Sequence, residues 1–399
     1  MQNKERILTK EYLILTIANF FVASNFYAHL VIGASFAIYH LQVSETKAGI
    51  AAGLYVVGAL TSRLIFSKFG RQRYFKKILL IDICIMILFT ALHITVSSFA
   101  IFCVFRFLLG ATYGISSNIS MTFIALIIPE NRKGEGVAWY TMSQTLGMAI
   151  GPFFAVYIMH LYGFSSVFLT FTIFMAAALA ILFFIKQPEE TKTTAPDTME
   201  RPTGDIAIPP EERGIWQVFE RSAIKVAFLC VIVYMGSMNY QSFAPVFITE
   251  SGAPALSSVI FLVSAGAMLA VRPLIGKIFD KHGPNMLILF GLIIFSAGFF
   301  LLGQGKISLF ILSVLFIGVG LSSIYSTTLT IVVSNSPRHR LNVANATYFF
   351  SLDLGAAIGP AIGGIIVENL GYNILYYVFA VVMAACIPLY FGFIAKRRT

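Results

Sequence analysis

Charge is what this chain lacks. Of its 399 residues only 12% are Asp, Glu, Lys or Arg, about half the share usual in a soluble domain, while 58% are apolar. So little charge excludes a water-soluble fold. Cysteine is scarce as well: Cys84, Cys103, Cys230 and Cys386 lie singly inside apolar runs, with no Cys-x-x-Cys spacing. Neither a disulfide framework nor a zinc site is expected, and the four read as small buried hydrophobes. The chain also has no Gly-x-x-x-x-Gly-Lys-Ser/Thr loop, no His-Glu-x-x-His and no Gly-x-Ser-x-Gly, nor any cluster of His with carboxylates inside its apolar runs. An ATP-driven pump and a membrane-embedded enzyme are therefore not expected; no cofactor or metal is implied.

What is present is apolar length. A helix needs about 20 apolar residues to cross a bilayer core, and runs of that order occur at 12–38, 48–66, 78–96, 99–128, 137–159, 165–185, 223–248, 256–275, 286–303, 307–333, 343–367 and 372–395. The expected fold is all-α and polytopic, with twelve transmembrane helices. The first run is too long for a signal peptide's apolar core and reads as a retained span. If the N-terminus is cytoplasmic, 23 of the 28 Lys and Arg residues fall in inner loops and tails. Two, Lys47 and Lys306, fall outside, and three, Arg63, Arg106 and Arg272, fall within spans. Basic residues in short loops set orientation, so both termini are expected in the cytoplasm of a bacterial-type cell membrane. The formal charge of +10 is thus an orientation signal and not a nucleic-acid footprint.

Residues 186–222 form the one long polar connection, rich in Pro, Thr and charge. It reads as a disordered cytoplasmic linker between an N-terminal bundle, 1–185, and a C-terminal bundle, 223–399. Near its end Ile215, Trp216, Val218 and Phe219 fit a short amphipathic helix at the membrane surface, or equally an extension of the seventh span. The two bundles repeat each other. At an offset of 208, Pro129 matches Pro337, Arg132 matches Arg340, Tyr140 matches Tyr348, Ser143 matches Ser351, Gly147 matches Gly355, Gly151-Pro152 matches Gly359-Pro360, and Gly163 matches Gly371. Arg63 pairs with Arg272 at 209. Two parallel six-helix halves form a transporter architecture, with the solute site at mid-membrane between them.

Three stretches sharpen this. Gly147-Met148-Ala149-Ile150-Gly151-Pro152 recurs as Gly355 to Pro360 followed by Gly363; Arg272-Pro273-Leu274-Ile275-Gly276-Lys277-Ile278-Phe279-Asp280-Lys281-His282-Gly283 joins the eighth and ninth spans; and Arg106 to Gly114 opens the fourth. On these residues the chain resembles the major facilitator superfamily over its whole length, and within it looks like the twelve-span drug:proton antiporter branch. The resemblance implies a cytoplasmic gate at Arg63, Lys68, Gly70, Arg71, Arg272, Gly276, Asp280, Lys281 and Gly283. The first copy of that motif has no Asp. Close helix packing is implied at Gly147, Gly151, Pro152, Gly355, Gly359, Pro360 and Gly363, in a motif associated with export. For Arg106 the resemblance implies a part in proton coupling. An arginine roughly 10 Å below the surface is costly in lipid and should face the cavity, with snorkelling to the headgroups as the alternative.

Only two carboxylates, Asp82 and Asp353, lie within spans. Asp82 is near a span end and reads as a solvated helix-start residue. Asp353 is near mid-membrane, where a carboxyl could load and release protons as the cavity alternates; an ion pair or direct solute contact are the alternatives. Other polar residues expected to line the cavity are Asn19, Asn25, Tyr27, His29, Gln144, Asn239, Tyr240 and Gln241. With Arg106 and His29 and one acid, they suit a zwitterionic or anionic solute better than a lipophilic cation. The expected function is proton-driven export of a small molecule, either drug efflux or release of a polar metabolite such as an amino-acid-like metallophore. Proton-coupled uptake and a non-transporting sensor are the alternatives. The expected partners are a small solute and membrane lipid, not nucleic acid, with the protein acting as a monomer and a proton gradient as its energy source.

Overall fold

In a lipid core the backbone has no water to bond, so an apolar run must satisfy its own N–H and C=O groups, which a helix does within itself. The computed structural model describes residues 8–69, 74–129, 133–186, 214–217, 219–337 and 340–394, and these are helical nearly throughout. In chain order the helices are α1 (Lys10–Ser35), α2 (Glu45–Phe69), α3 (Phe75–Leu92), α4 (Phe99–Ile127), α5 (Lys133–Leu182), α6 (Arg221–Glu250), α7 (Pro254–His282), α8 (Pro284–Gly303), α9 (Ile307–Asn335), α10 (Leu341–Leu370) and α11 (Tyr372–Leu389). Wider π-helical turns, Phe36–His40 and Tyr390–Ile394, extend α1 and α11.

Among the described residues eleven helices are long and apolar enough to cross a membrane. The fifth has 50 residues, about 75 Å at 1.5 Å per residue and more than twice a bilayer core. It leaves helical geometry at Gly163 (φ 77°, ψ 177°). The spans expected at 137–159 and 165–185 therefore form one element broken at a glycine. Gly371, its partner in the repeat, has nearly the same backbone (φ 85°, ψ 168°) and separates α10 from α11. Both angles lie where a Cβ would be strained, so the repeat preserves a backbone device and not merely a residue. Elsewhere the ends are made as expected of helices. Thr9 Oγ1 accepts from the Tyr12 N–H at 3.2 Å, and Pro254 and Pro284 open α7 and α8.

The Gly-Pro repeats pack equivalent helix pairs. A Cβ on Gly147 or Gly151 of α5 would strike Ala23 or Ser24 of α1, and one on Gly355 or Gly359 of α10 would strike Val231 or Met235 of α6. Pro152 and Pro360 lie inside α5 and α10. Of the gate residues, Gly70 and Arg71 lie outside the described residues, as do the side chains of Lys68 and Asp280, the surroundings of Gly276 and most of the 186–222 linker. All four cysteines are free.

The described end of the linker is ordered by Arg340. Gly214–Gln217 forms a short helical turn whose Trp216 carbonyl accepts from Arg340 Nη2 at 2.5 Å, and Phe219 O accepts from the same nitrogen at 3.2 Å. Arg340 Nε also pairs with Glu220, whose other oxygen accepts from the Ser222 N–H and hydroxyl and caps α6. Burial works against the Glu220 carboxylate, but Arg340 and Ser222 outweigh it and hold its carboxyl below the usual glutamate range. Of the amphipathic residues expected here, Ile215 is exposed and Val218 lies outside the described residues.

Candidate functional site

The two halves, α1–α5 and α6–α11, meet tightly at the end where α1 passes to α2. Gly49 and Gly53 of α2 lie against the Pro360 and Ala357 carbonyls of α10, and Gly364 lies against the Glu45 carbonyl. Glu368 Oε2 accepts from the Thr46 N–H at 3.1 Å, so a carboxylate of one half caps a helix N-terminus of the other. Tyr39 donates to Glu250 Oε1 at 3.1 Å, and the His160 ring meets Ser257 Oγ at 2.9 Å. A longer bond from Thr249 to His160 and one ion pair also join the halves.

That ion pair lies deeper, toward the linker end. Arg63 Nη1 of α2 donates to Asp353 Oδ2 of α10 at 2.6 Å, and the two side chains keep 29% and 22% of their exposure. Asp353 is 12 residues into α10, roughly 18 Å from its start. A membrane-embedded carboxylate and guanidinium, one from each half and still partly accessible, form a bridge that protonation of the acid would break. Behind Arg63 stands the Tyr113 ring, 5.6 Å from the guanidinium carbon, and Gln144 Nε2 donates to the Tyr113 hydroxyl at 3.2 Å. Tyr27, Tyr234 and Tyr325 are within electrostatic reach of Asp353. The column continues through the N-terminal half: Tyr113 stacks on Phe26 (3.7 Å between ring centres), Phe26 on Tyr55 (4.9 Å), and Tyr55 carries the Arg106 guanidinium at 4.1 Å.

Arg106 itself does not reach an open cavity. It is fully buried, with Nη1 donating to His29 O at 2.6 Å and Nε to Ala51 O at 3.2 Å. Close approach of α4 to α2, where a Cβ on Gly110 would strike the Tyr55 carbonyl, draws it beneath α2. Neither the cavity-facing nor the snorkelling placement holds; carbonyls and an aromatic face stand in for a counter-ion. His29 belongs to the same pocket, 5.0 Å from the His93 ring and 5.5 Å from Phe168 between centres. Buried nitrogens of His29, His93 and Arg106, and the Tyr55 hydroxyl, have no hydrogen-bond partner among the described residues.

The other expected cavity residues divide. Tyr27 and Gln144 stand at the ion pair. Asn19 is buried and bonded to Ser143 Oγ at 2.8 Å; Asn239 is buried and donates to Met235 O and Gly359 O, both at 2.8 Å; Tyr240 donates to Ile260 O at 3.4 Å. These three fasten helices within a half. Asn25 and Gln241 are also buried, at the α1 and α6 levels. Asp82, expected to be solvated, is only 4% exposed, because α3 turns that face, with Leu79, Ile83 and Met86, into the bundle. Of the gate residues, Arg63 meets Asp353, while Arg272 and Lys281 are exposed and Gly283 (φ 75°) ends α7. Among the described residues no three His, Cys, Asp or Glu side chains gather as metal ligands. Sequence reasoning missed Tyr55, Tyr113, His93, Glu250 and Glu368; an in-span tyrosine or histidine was the signal available for the first three.

Comparisons agree with this architecture. An uncharacterized MFS-type transporter of Methanocaldococcus jannaschii is 24% identical over 306 residues, 72% of this chain and 73% of that protein. The staphylopine export protein of Staphylococcus aureus is 22% identical, over 85% of each chain. A crystal structure of a POT family transporter in complex with 5-aminolevulinic acid superposes with a TM-score of 0.77 at 15% identity, covering 96% of this chain and 95% of that one. The family description matching the chain is the Major Facilitator Superfamily, over residues 15–350 and again over 226–399. The chain is a multi-pass cell-membrane transporter protein and belongs to the Major Facilitator Superfamily.

Proposed function

We propose that this protein exports a small polar solute in exchange for protons, by rocking its two halves about the seam between them. The observation that carries the reading is the Arg63–Asp353 bridge: within the spans, between the halves, and built from a group that a proton neutralises. Counting the two arms of α5 separately gives twelve spans, and the distribution of basic residues supports a cytoplasmic linker end. On that orientation the tight contacts at the α1–α2 end close the outer side. Proton binding at Asp353 would release Arg63 and free α2 from α10; proton loss would remake the bridge. The glycine-rich packing in α5 and α10 supports membership of the drug:proton antiporter branch. Likeness to the staphylopine export protein over most of both chains supports export of an amino-acid-like metallophore over broad drug efflux. Arg106 acts through the aromatic column as a second, buried charge in coupling.

The experiment has two steps. Mass spectrometry of the medium of cells with and without the protein identifies solutes whose release depends on it. Those solutes are then added to proteoliposomes holding an imposed pH gradient and a luminal pH dye. Solute-dependent proton movement with the wild type, lost in Asp353→Asn, is expected. Solute flux with no dependence on the gradient would refute proton exchange.

A further inference from the structure

The repeat pairs Arg63 with Arg272, yet the two arginines have different surroundings. Arg63 finds its carboxylate at position 353 of α10. The position related to 353 by the 208 offset is Thr145 of α5, which has no charge and uses its hydroxyl on Thr141 O at 3.2 Å. Among the described residues one seam between the halves pairs its arginine with an acid and the other does not. Arg272 makes no hydrogen bond, ion pair or ring contact with any described residue, and it is exposed. Phe261, Ala265, Met268 and Ile275 fall 11, seven and four residues before it and three after, on one helical stripe, and all four are buried. Arg272 thus stands exposed beside a buried stripe, at the last residue of the apolar span Pro254–Arg272. Arg272 is also within electrostatic reach of Tyr325 of α9, which is itself within reach of Tyr27 and Asp353. An unneutralised guanidinium at the end of a span is tolerable only where water reaches it.

We propose that Arg272 receives an anionic group of the transported solute, a carboxylate being the best fit to its forked donors, at the linker end of α7 beside Tyr325 of α9. This rests on the transport reading above and replaces the earlier ground for an anionic or zwitterionic solute, since Arg106 and His29 are sealed inside the N-terminal half. Among the described residues the Arg63–Asp353 pair is neutral and Arg272 keeps its charge, so a solute bearing a carboxylate is drawn in and a permanent cation is repelled.

The test uses the full-length protein with its four cysteines replaced and one introduced, Tyr325→Cys beside Arg272, in inside-out membrane vesicles. Modification rates are compared for the anionic 2-sulfonatoethyl and the cationic 2-(trimethylammonium)ethyl methanethiosulfonates. The ratio of anionic to cationic rate is expected to fall about fivefold or more in Arg272→Gln and to recover in Arg272→Lys. A ratio unchanged within about twofold overturns the proposal. Leu269→Cys, at an exposed position three residues before Arg272, serves as a second reporter should Tyr325→Cys be slow, and failure of both thiols to react would show a dry mouth, which also overturns it. These rates need no transport, so they stand apart from the proton-exchange test. In the medium of cells carrying wild type, Arg272→Lys or Arg272→Gln, carboxylate-bearing solutes should be released by the first two only. A neutral or cationic solute exported equally by all three contradicts the assignment.

Discussion

Replacing Asp353 by Asn removes the charge that ties α10 to α2 while keeping the side chain's size. Opposite charges about 4 Å apart in an effective dielectric near 20 attract by about 4 kcal/mol. Both side chains keep about a quarter of their exposure, so solvent screening and the cost of ordering them reduce the net coupling to roughly 1–2 kcal/mol. Since about 1.4 kcal/mol is a factor of ten, the ratio of closed to separated α2–α10 populations should fall about tenfold in Asp353→Asn. Spin labels at Ile65→Cys and Phe349→Cys, exposed positions on the two helices, report that ratio by pulsed dipolar spectroscopy in nanodiscs. Arg63→Gln should lower it similarly, and the double variant should be no worse than either single one, because the pair is lost once. Additive effects, or an unchanged distance distribution in Asp353→Asn, would show that the bridge does not set the conformational balance.

Three further outcomes follow from the geometry. Glu368→Gln weakens the cap on α2 and Tyr39→Phe removes its bond to Glu250. Each should loosen the α1–α2 end, read as slower disulfide formation between cysteines placed across it. Even the Cβ of Gly49→Ala would collide with the Pro360 carbonyl oxygen, a backbone atom that cannot turn aside, so Gly49→Ala should already abolish that cross-link, as should Gly49→Val. The Glu220–Arg340 clamp holds Glu220 ionised, its folded pKa lying below the unfolded value. The stability it gives is present above the unfolded glutamate range and is lost as pH falls through the folded pKa. Acidification, or Glu220→Gln at neutral pH, should raise the rate of proteolysis at Gly214–Gln217, and Glu220→Gln should be the less sensitive of the two proteins to acid.

How much of this was legible in the sequence depends on whether local chemistry sets the outcome. Spans were legible because lipid permits an apolar run little besides a helix. The Gly-Pro repeats and the pair Gly163 and Gly371 were legible because small or φ-positive backbone positions admit few residues. Asp353 stood out by rarity, one of two acids within spans. Its partner did not, since Arg63 is 290 residues away and the pairing depends on how the halves lean. Facing was the least legible property. In a soluble helix the polar face marks solvent, but here both faces are apolar, so periodicity could not tell that Arg106, His29 and Asp82 turn into the bundle or that Asn19 and Asn239 are fasteners. Cross-half contacts such as Glu368 with Thr46 likewise exist only in the assembled fold.

The central claim is that Asp353 takes up a proton and that this uptake opens the Arg63 bridge. Infrared difference spectroscopy of the reconstituted protein between pH 8 and pH 5 observes that carboxyl directly. The account predicts a protonated-carboxyl C=O band that is absent in Asp353→Asn and titrates together with the Ile65–Phe349 distance change. A protein that changes conformation with pH while showing no Asp353-dependent band would contradict it.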